Sequence, residues 1–303
     1  MATSSKRTTG SASKADAEIG QSVARLDIRK TYKLYIDGKF PRTESGRVVR
    51  LRDSSGNILA NICNASRKDL RDSFVSNRKA QESWAGRSAY NKAQILYRIA
   101  ETLESRKAQF REILRLQGMP EKEALAETSA AIDLLVYYAG WADKFIQVFS
   151  SVNPVESSHF NFSYPEPSGV VMSVAPRAHG LLGLAAVIAP VIVGGNTCTV
   201  LSSVDFPMTA VDFAEVLNAS DVPGGVVNIL TGQRTELLPH AASHMDVNAL
   251  LFLDLEAEMK KVVQTNAALN VKRVVDMNGM ELLSPYTIMS VQEIKTTWHP
   301  VAN

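Results

Sequence analysis

The sequence predicts an α/β protein with a doubly wound parallel sheet and a helical layer before it. From Gly169 onward, short runs rich in Val, Ile and Leu alternate with helical segments, which is the pattern of a parallel sheet. Before that point, apolar residues recur at helical spacing over a long stretch. With 303 residues, 45% of them hydrophobic, the chain can bury one large core or two modest ones.

Composition limits the classes of partner. The formal net charge is +2, and acidic and basic residues are interspersed, so the chain lacks the single-sign field that favours nucleic acid or an anionic membrane. We expect neither partner. Cys63 and Cys198 lie far apart in apolar, strand-like surroundings without metal-ligand spacing. They are expected to be buried, inert thiols, which fits a cytoplasmic location.

The first element is a tail. Residues 1–29 are rich in Ser, Thr, Ala and Lys and contain no apolar run long enough to span a bilayer, so we expect a disordered extension. From residue 31 to 66, alternating apolar residues flank Asp37-Gly38 and Ser55-Gly56, which predicts a small antiparallel meander.

Three helical stretches follow a predicted N-cap at Ser66. They are expected over 67–84, over 89–117 with a break, and over 121–148. Their aromatic residues are expected to pack in the core: Trp84, Tyr90, Tyr97, Tyr137, Tyr138 and Trp141.

The remaining strands follow in order. "HFNFSY", at 159–164, alternates as a half-exposed strand would. Five strands are then expected, and they are "GVVMSVA", "TCTVL", "VVNIL", "ALLFL" and "KRVVDM". Helices are predicted between them over 181–193, 208–219, 234–242 and 256–269. Such a sheet usually binds its ligand at the carboxyl ends of its strands.

Several motifs together resemble one family. They are "YIDGKF", "EPSGVV", Pro190 followed by "GGNT", Pro207, "VPGGVVNILTG", and His244 followed by Phe252. From about Tyr32 to Pro300 the chain resembles the aldehyde dehydrogenase superfamily. The resemblance implies a Rossmann-type nucleotide-binding domain with its helical layer over 30–150 and 166–285. It also implies a β oligomerisation arm from 151–165 and 286–303.

The resemblance shows that the positions carrying the family's chemistry are changed. The family's oxyanion-binding Asn corresponds to Ala178, which cannot donate a hydrogen bond. Its general-base Glu corresponds to Met277, and Asp276 is one residue away, on the opposite face of a strand. No cysteine follows Met277, so the resemblance implies that the catalytic domain with its nucleophile is missing. We expect no catalytic residues.

The cofactor positions are changed as well. The Lys and Glu that hold the adenosine ribose in the family correspond to Leu201 and Val204. The turn that approaches the pyrophosphate reads Leu253-Asp254-Leu255-Glu256, which would place two carboxylates toward the phosphates. We expect no cofactor, with NAD bound at most weakly.

The resemblance implies a pseudoenzyme, similar to the degenerate C-terminal unit of the aldehyde dehydrogenase 16 group. "SVQEIKTTWHP" resembles the terminal strand that docks onto a neighbouring subunit. We therefore expect a non-catalytic structural or regulatory subunit. It would form a homodimer, or a hetero-oligomer with a catalytic aldehyde dehydrogenase.

Two alternative functions stay open. One is an NAD(P)-dependent aldehyde oxidoreductase with a rebuilt site, and the other is a sensor that binds an anion or another nucleotide between Arg177 and His179. His240 and His244 have a spacing that can ligate metal, but no third ligand is evident, so no metal is expected. An acidic group at a predicted helix N-terminus is attributed to the helix dipole, and it comprises Asp254, Glu256 and Glu258.

Overall fold

The computed structural model describes residues 28–301. The predicted tail over 1–29 therefore lies almost wholly outside the described residues. Within the described range, no helix is both long enough and apolar enough to cross a membrane.

The first sheet differs from the predicted meander. It contains β1 (Thr31–Tyr32), β2 (Val48–Arg52) and β3 (Ile58–Cys63). β2 and β3 form the expected antiparallel hairpin, but β1 pairs with β3 in parallel. The chain leaves this sheet after β1, because Tyr35 exchanges backbone hydrogen bonds of 2.8 and 2.9 Å with Ile229 at the edge of the main sheet.

The helical layer follows the predicted N-cap. Ser66 caps α1 (Arg67–Ala85) through a reciprocal capping box with Asp69. The predicted break within 89–117 falls at Arg106. The predicted helix over 121–148 is interrupted after Trp141, where the backbone N–H of Lys144 donates to the Trp141 oxygen at 3.0 Å and tightens the turn. The remaining helices of the layer are α2 (Ala89–Ser105), α3 (Lys107–Leu116), α4 (Glu121–Trp141) and α5 (Phe145–Phe149).

The aromatic residues of this layer divide between core and surface. Trp84 and Tyr138 are buried as predicted, and Tyr137 and Trp141 pack partly buried against the core. The expectation was wrong for Tyr90 and Tyr97, which are 71% and 58% exposed. These two tyrosines lie on the outer side of the amphipathic α2, whose buried face carries Ile95, Leu96, Ile99 and Leu103.

The main sheet is parallel and doubly wound, as predicted. Its strand order is β10-β9-β6-β7-β8. The order reverses between β6 and β9, where Val174 pairs with Phe252. The strands are β6 (Val170–Val174), β7 (Thr197–Leu201), β8 (Val227–Leu230), β9 (Ala249–Phe252) and β10 (Arg273–Asp276).

Helices cover both faces of this sheet. One layer contains α2, α4, α6 (Leu181–Val193) and α7 (Pro207–Ala219), and α6 is apolar on almost every side because it packs between the sheet and α4. The other layer contains α1, α8 (Arg234–Ser243) and α9 (Ala257–Ala268).

The two predicted arm segments pair with each other. β4 (Ser151–Asn153), β5 (His159–Pro167) and β11 (Gln292–Pro300) form an antiparallel sheet in the order β11-β5-β4. Short helix α10 (Tyr286–Met289) precedes β11. Thr297 of β11 and Val152 of β4 both pair with Phe162 of β5, so the arm is a small sheet separate from the main one.

Candidate functional site

A cleft lies at the carboxyl ends of the main sheet's strands. Two adjoining cavities of about 250 and 280 Å³ form it. Charged side chains line most of the larger one, whereas the smaller one has a mixed lining. This is where parallel sheets place their ligands, next to the point at which strand order reverses. The two cavities share Arg177, Arg234, Leu255 and Glu256.

Arg177 ties together the loops that follow β6, β7 and β9. Its guanidinium donates two hydrogen bonds to the Asp205 carboxylate, at 3.1 and 3.2 Å, and lies 3.9 Å from Glu256. Its backbone N–H donates to Asp254 Oδ2 at 2.8 Å, across the strand reversal. The pKa of Arg177 is raised, first by the hydrogen bond to Asp205. The Arg177 guanidinium therefore binds carboxylates of its own chain.

Arg234 holds Asp254 from the other side. It is the first residue of α8, and its side chain is only 11% exposed. The guanidinium donates to the Ala175 oxygen at 2.6 Å and to the backbone oxygen of Asp254 at 3.2 Å. A further bond reaches Asp254 Oδ1 at 3.3 Å. Both oxygens of the Asp254 carboxylate are thus occupied by donors within the cleft.

Three apolar residues lie in the cleft or at the strand end next to it. Leu201 is fully buried at the end of β7, and Val204 lines the cavity three residues later. Leu255 is half-buried between the two cavities. None of these three side chains can donate or accept a hydrogen bond.

Met277 and Asp276 point to opposite sides at the end of β10. Met277 is 1% exposed and belongs to the core cluster formed with α2, α4 and α6. Asp276 is oriented toward α9, where its carboxylate pairs with Lys260. A thioether cannot act as a general base, and the nearest carboxylate is already engaged by a cation on the other face.

The loop after β6 carries Ala178 and His179. The exposed methyl group of Ala178 offers no hydrogen-bond donor, whereas His179 Nδ1 lies 3.1 Å from Glu127 Oε2. Glu127 Oε1 accepts from the backbone N–H groups of Leu181 and Leu182, at 2.7 and 3.3 Å. An internal carboxylate therefore occupies the amino end of α6. The hydrogen bond to Glu127 raises the pKa of His179.

This arrangement bears on the anion-sensor alternative. Arg177 and His179 each already face a carboxylate of the same chain, so an anion between them would have to displace Asp205 or Glu127. No local feature of the sequence indicates Asp205 or Glu127 as these partners. Arg234 was missed as well, and its place at the start of the helix that follows β8 is the one feature that could have marked it as a candidate.

The remaining candidate residues lie outside the cleft. Cys198 is fully buried in β7, and burial raises the pKa of its thiol, while Cys63 is buried in β3. The His244 ring packs on Phe74, with the ring centroids 5.0 Å apart. In the part of the chain that the structure describes, no three potential metal ligands converge. Glu256 precedes the first residue of α9, and Glu258 lies in its first turn, where the helix dipole favours negative charge.

Comparison with known proteins places these features in a family. The aldehyde dehydrogenase family model matches residues 41–281. An NADP⁺-dependent D-glyceraldehyde dehydrogenase of Thermoplasma acidophilum is 29% identical over 250 residues, which are 82% of this chain and 50% of that protein. The corresponding enzyme of Picrophilus torridus is 25% identical over 249 residues, again 82% of this chain and 50% of the relative.

Solved structures show the same fold. An aldehyde dehydrogenase from Bacillus cereus, solved in complex with NAD⁺, superposes with a TM-score of 0.77 at 24% identity, over 81% of this chain and 50% of that one. PnpE from Pseudomonas sp. WBC-3 gives a TM-score of 0.76 at 24% identity, with the same coverage. The chain spans about half the length of the relatives it matches. With a family model that covers most of its residues and a shared fold, this chain belongs to the aldehyde dehydrogenase family.

Proposed function

We propose that this chain is a non-catalytic subunit, a pseudoenzyme that contributes assembly surface to a dehydrogenase-like complex. One observation supports this most: the charged groups at the strand ends pair with one another, Arg177 with Asp205 and Arg234 with Asp254. The side chains of Met277 and Ala178 supply neither a base nor an oxyanion donor at the positions where the resemblance implies the family's catalytic groups. A general base alone contributes roughly 10²–10⁴-fold to a rate.

The cleft does not fit a nicotinamide dinucleotide. Leu201, which is fully buried, and Val204, which lines the cleft, cannot hydrogen-bond a ribose. The charged anchors that the resemblance implies at these positions would contribute hydrogen bonds of about 1.5–3 kcal/mol each. Two such losses weaken binding by roughly 10²–10⁴-fold. The Asp254 carboxylate already accepts from Arg234 and from the Arg177 backbone N–H, so a pyrophosphate would have to compete with a carboxylate of the chain itself for these donors. The proposed function does not require bound NAD.

The arm supports a role in assembly. Its exposed apolar side chains lie on strands that end the sheet, including Val152 at 67% and Trp298 at 58% exposure. Apolar strands at a sheet edge are surfaces that proteins normally cover. We propose a homodimer, or a hetero-oligomer with a catalytic aldehyde dehydrogenase, and neither nucleic acid nor a membrane as partner.

The test measures turnover and cofactor binding together. The purified chain is incubated with NAD⁺ or NADP⁺ and with short, long and aromatic aldehydes, beside the Bacillus cereus enzyme as a positive control. We expect no reduced cofactor from this chain and no rise in its Tm with NAD⁺, because linkage gives no stabilisation when the ligand is far below its Kd. Turnover, or a micromolar Kd by calorimetry, would instead support the oxidoreductase with a rebuilt site.

The nucleophile can be checked in the same assay. Cys63→Ala and Cys198→Ala are compared singly and together. Any turnover lost with Cys198→Ala would assign the nucleophile to that thiol, and turnover that survives the double variant would assign it elsewhere. Either result would contradict the non-catalytic proposal.

A further inference from the structure

The backbone of β11 offers one free edge. β11 pairs along its length with β5, and within residues 28–301 no strand lies on its other side. The backbone N–H of Val301 donates to the Ser158 oxygen at 3.0 Å, and the oxygen of Val291 accepts from the Ser168 N–H at 3.3 Å. Odd-numbered residues of β11 therefore direct their backbone groups toward β5. Because this direction alternates along a strand, the backbone groups of the even-numbered residues face the free edge.

The side chains at this edge are exposed and partly apolar. Ile294 and Trp298 are 56% and 58% exposed, and Thr296 stands midway between them. An edge that combines unpaired backbone groups with exposed apolar side chains is a template for another strand. The sequence of β11 indicates which strand fits.

We propose that β11 pairs in antiparallel fashion with β11 of a second copy, in a register centred on Thr296. This rests on the proposed function and deepens it by identifying the partner of the arm. In this register Thr296 faces its own counterpart, and Ile294 of each copy faces Trp298 of the other. Glu293 faces His299, so a carboxylate meets an imidazole. The outward backbone groups of Ile294, Thr296 and Trp298 then all find partners.

Charge favours this register over its neighbours. Even-numbered residues must face each other for the backbone to pair, so the nearest alternatives are centred on Lys295 or on Thr297. The first places Lys295 opposite the other copy's Lys295, and the second separates Glu293 from His299 and Ile294 from Trp298. Like charges directly opposite on paired strands are destabilising. In the register centred on Thr296, each Lys295 faces Thr297 instead.

Contacts within the chain hold these side chains in place. Lys295 forms an ion pair with Glu166 at 3.0 Å, and Glu293 forms one with Arg273 at 2.8 Å. The side chains of Lys295 and Glu293 are still more than half exposed. The pairing is symmetric, so each copy uses the same surface once and the assembly closes as a dimer. The two arms then form one continuous six-stranded sheet from two three-stranded ones.

Disulfide formation tests the register. In the Thr296→Cys variant, the Cα atoms of the two opposed cysteines would lie about 5.5 Å apart in the proposed dimer. This distance is within the roughly 4.4–6.8 Å that a disulfide spans. We expect a covalent dimer under mild oxidation on a non-reducing gel, and none from the unmodified chain, whose thiols are buried. Thr297→Cys is the matched control. It should not cross-link to itself, but should cross-link to Lys295→Cys when the two variants are mixed.

A complementation experiment tests the same pairing without oxidation. Ile294→Lys and Trp298→Glu each place a charge opposite an apolar side chain and should each raise the dimer Kd at least tenfold. A mixture of the two variants sets the new lysine against the new glutamate and leaves one native contact, so heterodimers should form again. Failure of both cross-linking and complementation overturns the β11 pairing. The non-catalytic proposal would still stand, because it is tested by turnover and NAD⁺ binding.

Discussion

His179 and Glu127 form a hydrogen bond of 3.1 Å between the loop after β6 and the second turn of α4. The same carboxylate accepts from the first two backbone N–H groups of α6, at 2.7 and 3.3 Å. α6 has no side-chain cap of its own, so a helix of the preceding layer supplies it. This carboxylate connects the helical layer to the loop that borders the cleft.

Removing this carboxylate should destabilise the fold. Glu127→Ala leaves two N–H groups of α6 without a partner, and we expect the free energy of unfolding to fall by about 1–3 kcal/mol. Urea unfolding followed by circular dichroism measures it. Glu123→Ala, on the exposed first turn of the same helix, is the control and should change the free energy by about 0.5 kcal/mol or less. Equal losses in both variants would contradict the capping role.

The stabilising effect of His179 should depend on pH. Glu127 raises the pKa of His179, so its contribution is fully present below the ordinary histidine pKa of about 6.5 and is lost as pH rises through the raised value. His179→Gln should therefore cost more stability at about pH 5.5 than at about pH 9, by less than about 1 kcal/mol because the ring is half-exposed. A cost that stays constant or grows with pH would refute the assignment.

The internal ion pairs of the cleft should contribute to stability in place of a ligand. Arg234→Met keeps most of the side-chain volume but removes the bonds to Ala175 and Asp254, and we expect a loss of about 1–3 kcal/mol in urea unfolding. Arg71→Met, which removes an exposed pair with Asp72, should cost no more than about 1 kcal/mol. If the Arg234 variant is instead as stable as the native chain and gains NAD⁺ binding, the cleft is a gated cofactor site.

Local features were predictable from the sequence, and distant partners were not. The five apolar runs and the cap at Ser66 follow from neighbouring residues, so the strands and the start of α1 were correctly predicted. Glu127 and His179 are 52 residues apart, and nothing local to either indicates the other. The parallel pairing of β1 with β3 and the backbone pairing of Tyr35 with Ile229 likewise join segments that are distant in sequence, which nothing local to either segment indicates.

Neither cysteine should react with thiol reagents while the chain is folded. Cys198 is 0% and Cys63 1% exposed, and burial raises the pKa of Cys198, so little reactive thiolate is available there. We expect a disulfide reagent to label neither cysteine at about pH 8, whereas denaturant should expose both, since the ordinary cysteine pKa is about 8.5. Rapid labelling of Cys198 in the folded protein would revive the hypothesis of a rebuilt catalytic site.

Deleting the arm strand should separate assembly from folding. Removal of residues 293–303 spares Val291 and Gln292, which are buried and bond to Asn196 and Gly194. The deletion exposes one edge of β5, so we expect a monomer or a precipitate by light scattering, with the helical layer still folded by circular dichroism. An intact chain that is a stable monomer at micromolar concentration, unchanged by the deletion, would contradict the role in assembly.

Proline substitution distinguishes the two edges of β11. The N–H of Thr296 faces the free edge, so Thr296→Pro should block pairing with a second copy while β5 keeps its hydrogen bonds. The N–H of Thr297 faces β5, so Thr297→Pro should disrupt the arm itself. We expect Thr296→Pro to be a monomer with native amide-exchange protection in β5, and Thr297→Pro to lose that protection. A Thr296→Pro variant that remains dimeric would show that the arm associates through its aromatic face, which carries Phe160, Phe162 and Tyr164.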